Sequence, residues 1–335
     1  MLKRTTLVAA AFGLLFATAA IAGTIPVKFA HTGAESTLMH KSLTLVKEQM
    51  EAKSNGVFSV HIYPNAQLGN EPELIQAVQE GDIQAMATNN GYFVNFQPAN
   101  AVFSLPFAFP SEEVAYKVLD GPFGKKMLDA MEAGCDLKAV AYYESVDFRQ
   151  LTTNKEVRSP EDLSGIKIRV MPNPVHIKLW ESLGANPAAI PFGELYTALQ
   201  QKTVDAQENP VELILQSKFN EVQKYLILTN HVFSTGMAVV NPDFYNDLTP
   251  ELQTVLDDAF AAGNAYWREQ SSLNRENYYK ELEKSGMTVI RLTPQESEKF
   301  KAKVGPAVDL IAEQVGRELV DELYRAIEDV VAQEK

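Results

Sequence analysis

The chain has 335 residues, enough for two domains, and its 46 % hydrophobic and 22 % charged residues are ordinary for a soluble globular protein. Its formal net charge of −13 argues against nucleic acid and anionic membranes as partners. Cys135 is the only cysteine, which excludes an internal disulfide, and we expect it to be a small buried side chain rather than a nucleophile.

The first 22 residues have the composition of a secretory signal peptide. Lys3 and Arg4 precede an apolar stretch at residues 7–19, and Ala-Ile-Ala at residues 20–22 supplies the small side chains that a signal peptidase needs. The apolar stretch is shorter than the ~20 residues that span a bilayer, which disfavours a membrane anchor. We expect cleavage near Ala22 and a periplasmic mature protein, whose 28 basic against 43 acidic residues give a net charge of −15.

Strand and helix patterns alternate along the first half of the mature chain. Apolar or alternating runs predict strands at residues 25–30, 58–62, 85–87 and 139–143. Amphipathic spacing predicts helices from about residue 36, after residue 70, and over residues 112–131. This rhythm is typical of an α/β protein with a parallel sheet.

A second α/β segment begins near Phe148, and a further strand near residues 233–240 is consistent with a return to the first lobe. Thr249-Pro250-Glu251 then carries the signals of a helix start, and the helical pattern continues to about residue 282. Roughly 30 residues at ~1.5 Å each span about 45 Å, which is longer than one small lobe needs. A capping box at residues 293–296 and amphipathic helices to residue 331 complete the chain.

The most informative stretch runs from residue 165 to residue 234. It contains GIKIRVMPNP at residues 165–174, LGANP at 183–187, PFGELYTALQ at 191–200 and VDAQENP at 204–210. These segments resemble the extracytoplasmic solute receptors of TRAP (tripartite ATP-independent periplasmic) transporters, the DctP-like family. The resemblance covers nearly the whole mature chain but is dense only in this stretch, and it is specific for the family rather than for a ligand.

The resemblance implies an α/β, two-lobe periplasmic-binding-protein-like fold with a long helix bridging both lobes. Lobe I is expected to comprise residues 23–146 plus about 235–272, and lobe II residues 147–234 plus about 273–335. The implied partners are a small organic anion and the small and large TRAP membrane subunits. No cofactor and no metal are expected, and the protein is expected to be a monomer.

Arg169 is the first candidate for the ligand site. It lies in an alternating run in which Lys167 and Arg169 share one face of a strand. A guanidinium is always charged and its planar fork matches a carboxylate with two parallel hydrogen bonds, so Arg169 is favoured over Lys167. The residues alone leave a surface salt bridge equally open. The resemblance implies that Arg169 grips the carboxylate of the transported acid.

Three further positions match ligand residues of the family. Arg149 matches a second arginine near the ligand, Asn209 an asparagine that hydrogen-bonds it, and Phe192 an aromatic residue that packs on it. Each has a structural alternative: a hinge salt bridge to an acidic partner for Arg149, a helix cap for Asn209, and ordinary core packing for Phe192.

The candidates in the first lobe are less specific. Thr88 and Asn89 follow a short strand, and open α/β sheets place ligand contacts at the carboxyl ends of their strands. Glu71 and His31 are weaker candidates, since each would also serve to cap or shape a loop. Asn173 is included although the segment around it varies within the family.

Signatures of an enzyme are absent from the sequence. It contains no Gly-x-Ser-x-Gly elbow, phosphate-binding loop or dinucleotide fingerprint, and its five histidines show no metal-binding spacing. We therefore expect a receptor for a small organic anion, such as a C4-dicarboxylate or a hydroxy or sugar acid. A small sulfonate is the alternative ligand, and a secreted enzyme or a sensor subunit using the same cleft are the alternatives of other classes.

Overall fold

The computed structural model describes residues 23–143 and 147–333, so the expected signal peptide lies outside the described residues. Two β-sheets organise the chain, and each is covered by helices. The strands are β1 (Ile25–Ala30), β2 (Phe58–Tyr63), β3 (Ala85–Asn89), β4 (Lys138–Tyr142), β5 (Asp147–Thr153), β6 (Lys167–Val170), β7 (Asn186–Ala189), β8 (Ala206–Pro210), β9 (Tyr225–Leu228), β10 (Phe233–Ser234), β11 (Gly236–Val240) and β12 (Thr288–Arg291).

The helices alternate with these strands and dominate the last third of the chain. They are α1 (Leu38–Lys53), α2 (Glu71–Gln79), α3 (Asn90–Phe93), α4 (Glu112–Asp120), α5 (Pro122–Cys135), α6 (Pro174–Ser182), α7 (Leu195–Gln200), α8 (Val211–Gln216), α9 (Pro242–Asn246), α10 (Pro250–Lys284), α11 (Pro294–Lys301), α12 (Gly305–Val315) and α13 (Arg317–Gln333).

Lobe I is built on a five-stranded sheet in the order β2-β1-β3-β11-β4. Strand β1 is parallel to β2 and β3, as the alternating pattern predicts. Strand β11, however, returns from the distant part of the chain and pairs antiparallel with both β3 and β4. The strand near residues 233–240 that was expected to return to the first lobe is β11. Its antiparallel direction was not predicted, because local sequence patterns carry no information on the direction in which a distant strand enters a sheet.

Lobe II is built on a seven-stranded sheet in which β12-β9-β5-β8-β6-β7 lie side by side and β10 pairs with β5. The chain changes sheet between β4 and β5, and again between Ser234 in β10 and Gly236 in β11. Two crossings only a few residues long thus connect the sheets. The exact lobe boundaries remain a prediction, and residues 144–146 of the first crossing lie outside the described residues.

Helix α10 joins the two lobes, as expected. Thr249 caps it through a hydrogen bond from the Leu252 N–H, Pro250 occupies its first turn, and its 35 residues correspond to about 52 Å. The helix packs against α1 and β4 of lobe I and against α8 and β12 of lobe II. Within the described ranges, no helix combines the length and the apolar character required to cross a membrane.

One helical expectation was wrong. The single helix expected over residues 112–131 is two helices, α4 and α5, separated at Gly121, because Pro122 starts a new helix and cannot continue the previous one. The allocation of residues 273–335 to lobe II remains a prediction, and the last helix, α13, packs on lobe I. Val320 and Leu323 of α13 are buried in the same cluster as Val118 of α4, and α13 contacts both α4 and α5 of lobe I.

Close approach of α10 to α1 depends on a glycine. A Cβ atom added at Gly263 would lie 2.6 Å from Val46 Cγ2 and 2.8 Å from the Tyr143 hydroxyl. We predict that Gly263→Val lowers the free energy of unfolding by about 1–3 kcal/mol, because overpacking forces the helices apart. Chemical denaturation measures the loss. Ala261→Val, at an exposed position of the same helix, is the control, and equal stabilities of the two variants would contradict this account of the helix contact.

Candidate functional site

Three neighbouring strands of lobe II bring the main candidate residues together. Arg169 lies near the carboxyl end of β6, Asn209 near that of the parallel strand β8, and Arg149 near the start of the antiparallel strand β5. Thr88 and Asn89 end β3 in lobe I and face the same cavity, whose empty volume is about 560 Å³. The carboxyl ends of strands from both lobes therefore meet at one site, as open α/β sheets predict.

The Arg169 guanidinium is fixed inside the protein. Its side chain is 1 % exposed, whereas Lys167 on the same strand is exposed. Nε donates to the Ile190 carbonyl oxygen at 2.7 Å, and Nη2 donates to the Tyr92 hydroxyl at 3.1 Å. The Phe192 ring centroid lies 6.0 Å from Cζ. Among the described residues, no carboxylate forms a salt bridge with Arg169, so this buried cation lines the cavity without a direct counter-ion.

Arg149, by contrast, is committed to protein partners. Its Nε and Nη2 donate to the two carboxylate oxygens of Glu208, and Nη2 also reaches the Glu208 carbonyl oxygen at 2.7 Å. Nη1 donates to Ser234 Oγ at 3.3 Å, and Nη2 donates to Asn209 Oδ1 at 2.9 Å. Arg149 lines the cavity, but its contacts match the alternative of a salt bridge to an acidic partner, and Glu208 largely neutralises its charge.

Glu208 is the centre of a buried polar cluster. Burial alone would favour the neutral acid, but the Arg149 charge together with His176 and His231 holds the pKa of Glu208 well below its ordinary value. His231 Nε2 lies 3.0 Å and His176 Nδ1 3.6 Å from the carboxylate. Burial lowers the pKa of His231, which favours its neutral form. The cluster is therefore a buried ion pair whose carboxylate also lies within hydrogen-bond distance of a neutral His231.

Two of the three predicted asparagines, Asn209 and Asn89, line the cavity, and the side-chain amides of both form hydrogen bonds within the protein. Asn209 donates from Nδ2 to Gln207 Oε1 at 2.6 Å while its Oδ1 accepts from Arg149. Asn89 accepts from the Gly91 N–H at the start of α3 and donates to Ser234 Oγ at 2.9 Å. Asn209 is a strand residue rather than the helix cap considered as its alternative, because Pro210 occupies the cap position before α8.

Thr88, Glu71 and Phe192 also line the cavity. Glu71 is 1 % exposed and occupies the first turn of α2. Its Oε1 accepts from the Thr32 hydroxyl at 2.8 Å, whereas its Oε2 has no hydrogen-bond partner among the described residues. Burial raises the pKa of Glu71 although hydrogen bonds and the Arg169 charge act in the opposite direction.

His31 and Asn173 do not belong to the residues that line the cavity. His31 is buried at the end of β1, its Nε2 lies 3.1 Å from His40 Nδ1, and burial with the nearby His40 lowers its pKa to about 3. Asn173 caps α6 by accepting from the Val175 N–H and donates to the Gly91 carbonyl oxygen of lobe I at 3.1 Å. Its position is that of an interlobe tie, so a direct ligand contact for either residue stays a prediction.

Sequence reasoning missed several residues that line or support the cavity, among them Tyr92, Glu208, Glu212 and Trp267. Tyr92 holds Arg169, Glu208 neutralises Arg149, and Glu212 and Trp267 line the far part of the cavity. Glu208 and Glu212 flank Asn209-Pro210, so their nearness to a predicted ligand residue was the available signal. Trp267 offered none, because it reads as one more apolar position in the long helix.

The buried Arg169 guanidinium gives the cavity a positive group that is able to pair with an anion. Across residues 23–143 and 147–333, no group of three or more His, Cys, Asp and Glu side chains is arranged to hold a metal ion.

Cys135 is not among the residues that line the cavity. Burial raises the pKa of the Cys135 thiol to about 11, and its Sγ donates to the Met131 carbonyl oxygen, which fits the buried, inert side chain expected from the sequence.

The sequence model of the bacterial extracellular solute-binding protein family 7 (DctP) matches residues 29–314. The chain belongs to this family. It is 31 % identical over 317 residues to the C4-dicarboxylate-binding periplasmic protein DctP of Rhodobacter capsulatus, covering 93 % of this chain and 94 % of that protein. It is 30 % identical over 307 residues to the 2,3-diketo-L-gulonate-binding periplasmic protein YiaO of Escherichia coli, covering 91 % and 92 %.

A solved structure shares the whole fold. The sugar acid binding protein DctPAm from Advenella mimigardefordensis, crystallised with galactonate, superimposes with a TM-score of 0.88 at 33 % identity, covering 92 % of this chain and 99 % of that one. The DctP family and its structural neighbours are solute-binding proteins of TRAP systems, not enzymes. The resemblance inferred from residues 165–234, the two-lobe fold and the receptor class are therefore confirmed.

The buried ion pair generates a stability prediction. Glu208→Gln leaves Arg149 buried and unpaired, so we expect the free energy of unfolding at pH 7 to fall by about 3–5 kcal/mol. Because the pKa of Glu208 is lowered in the folded protein, its contribution is present above the unfolded pKa of about 4.3 and is lost as the pH falls further. The difference between wild type and variant should stay constant from pH 7 to about pH 5 and then decline as the pH falls from about 4 towards the low folded pKa of Glu208. Urea denaturation at about pH 7, 5 and 3 measures it, with exposed Glu194→Gln as control; a difference at pH 3 as large as that at pH 7 would contradict the assignment.

Proposed function

We propose that this protein is the periplasmic solute-binding subunit of a TRAP transporter, which captures a small organic anion between its lobes through Arg169. The observation that carries the proposal is a buried guanidinium that lines the cavity and has no salt-bridge partner among the described residues. Membership of the DctP family supports the class of transporter. Relatives named for a C4-dicarboxylate, a diketo sugar acid and galactonate support an organic acid as the ligand.

The electrostatics of the site explain why an anion is the expected occupant. An unpaired buried charge costs several kcal/mol in effective desolvation, and a carboxylate placed beside Arg169 offsets that cost. The Arg169 guanidinium must also be held in a fixed orientation to pair with a carboxylate. The Ile190 carbonyl oxygen and the Tyr92 hydroxyl do so by accepting hydrogen bonds from its Nε and Nη2. Although the whole chain is strongly acidic, the Arg149–Glu208 pair and Arg169 leave a locally positive patch in lobe II.

Closure of the lobes is part of the proposal. Hydrogen bonds that cross from lobe I to lobe II include Leu38 N–H to Gln216 Oε1, Asn95 Nδ2 to the Pro172 carbonyl oxygen, and Asn173 Nδ2 to the Gly91 carbonyl oxygen. Arg169 itself bonds Tyr92 across the same boundary. Since short crossings join the two sheets, hinge motion between an open and a closed form is expected. The closed form would then deliver its ligand to the small and large membrane subunits.

Replacing Arg169 tests the anchor. We predict that Arg169→Ala nearly abolishes binding, with a loss of at least about tenfold in affinity, because a charged hydrogen bond contributes roughly 1.5–3 kcal/mol. Arg169→Lys should weaken binding less, since it keeps the charge and loses the fork. A thermal-shift screen of organic acids identifies a ligand for wild type, and calorimetry gives the affinities. Exposed Lys167→Ala on the same strand is the control, and unchanged affinity in folded Arg169→Ala would remove Arg169 from the site.

Closure is tested by small-angle scattering. With saturating ligand, the radius of gyration should be smaller than that of the ligand-free protein, because the lobes approach each other. Calorimetry on the same sample verifies occupancy. An unchanged scattering profile from an occupied protein would indicate a rigid cavity and would refute the hinge.

A further inference from the structure

Two carboxylic acids lie in the same cavity as Arg169. Glu71 comes from α2 of lobe I and Glu212 from α8 of lobe II, and their side chains are 1 % and 2 % exposed. Ionised acids in a cavity that binds an anion oppose the attraction between Arg169 and the carboxylate of the ligand. Their presence is therefore explained only if they interact with the part of the ligand outside that carboxylate. Neither acid is neutralised by a salt bridge among the described residues, in contrast to Glu208.

Glu71 lies close to the Arg169 end of the cavity. The Arg169 charge and the Tyr92 hydroxyl both act on its carboxyl group. Only Oε1 has a donor, the Thr32 hydroxyl at 2.8 Å, while Oε2 is buried with no partner in the described chain. A buried oxygen without a donor costs about 1–3 kcal/mol, so this position is suited to a hydroxyl group supplied by the ligand.

Glu212 lies at a different place in the cavity, against helix α10. Its Oε2 is 3.4 Å from Trp267 Nε1, and Lys41 rather than Arg169 is the cation that acts on it. Burial raises the pKa of Glu212 to about 7. As acid or as carboxylate, Glu212 is able to accept a hydrogen bond from a hydroxyl group. As carboxylate it repels a second anionic group of the ligand.

We propose that Glu71 and Glu212 select a polyhydroxylated monocarboxylate, of the sugar-acid class, and discriminate against dicarboxylates. The proposal rests on the proposed function, since it takes Arg169 as the anchor of one carboxylate. With Arg149 occupied by Glu208, the cavity has one guanidinium left for an anion. A second carboxylate would meet an acid instead of a cation, whereas a hydroxyl donates to Glu71 or Glu212 and leaves the charge balance unchanged. Specificity then arises from repulsion as much as from attraction.

Ligand pairs that differ only at the terminal carbon test this directly. The first pair, D-galactonate and galactarate, has six carbons. The second pair, D-erythronate and meso-tartrate, has four carbons. The third pair, 4-hydroxybutyrate and succinate, also has four carbons but lacks the internal hydroxyl groups. Calorimetry at pH 8 with the full mature protein should give at least about tenfold tighter binding of the hydroxylated monocarboxylate in every pair that binds, and the tightest ligand should carry several hydroxyls.

Variants assign the discrimination to the two acids. Glu71→Gln and Glu212→Gln each keep the size of the side chain and remove its charge, so each should reduce the affinity ratio of at least one pair to within about threefold. Glu80→Gln, an exposed residue just after α2, is the matched control and should leave every ratio unchanged. Thermal melts establish that the variants are folded.

The outcomes separate this inference from the proposed function. Equal or tighter binding of the dicarboxylates by wild type, tightest binding of 4-hydroxybutyrate, or ratios unaffected in both variants would overturn the selectivity while leaving an organic-acid receptor in place. Absence of binding by every acid would overturn the proposed function, and the inference with it.

Discussion

The ion pair between Arg149 and Glu208 determines the electrostatics of the whole site. It joins β5 to β8 with both carboxylate oxygens engaged, and His231 and His176 enclose it from other sides. Two arginines reach the cavity, but the pair neutralises one of them. Among the described residues, Arg169 is consequently the arginine of the cavity without a carboxylate partner, although it lies only one strand further along the sheet than the pair.

The two-lobe architecture follows from how the chain enters and leaves each sheet. Strand β11 returns to lobe I immediately after β10 has paired in lobe II, so Ser234 and Gly236 belong to different sheets although one residue separates them. Helix α10 then lies along both lobes and contributes Trp267 to the cavity. Because Tyr92 of lobe I bonds Arg169 of lobe II, the proposed hinge motion would break and re-form one of the bonds that hold this guanidinium.

Much of this architecture was predictable from local sequence. The strand beginning at Ile25 and the start of α10 at Thr249 follow from hydrophobic period and capping chemistry, which depend on neighbours in sequence. The lobe boundary near residue 235 was expected from the family resemblance. The antiparallel insertion of β11 and the packing of α13 on lobe I depend on contacts between distant segments. The apolar pattern of a helix such as α13 predicts that one face is buried, but it does not predict which elements pack against that face.

The residues of the cavity likewise divide into those that the sequence indicated and contacts that depend on distant segments meeting. Arg169 and Asn209 were predicted because they lie in the densely matching stretch of residues 165–234, and Arg149 because it matches a second arginine of the family. All three line the cavity. The motif did not reveal that Glu208 neutralises Arg149, since this ion pair depends on side chains that meet across two strands. Asn173 was grouped with the ligand residues because of its place in the motif, yet its amide ties α6 to the backbone of lobe I.

A crystal structure of the protein with a bound organic acid tests the central claim most directly. We expect a carboxylate paired with the Arg169 guanidinium while Arg149 and Glu208 remain in contact. A carboxylate bound to Arg149, with Glu208 turned away from it and Arg169 still without an anion, would show that Arg169 is not the anchor of the ligand.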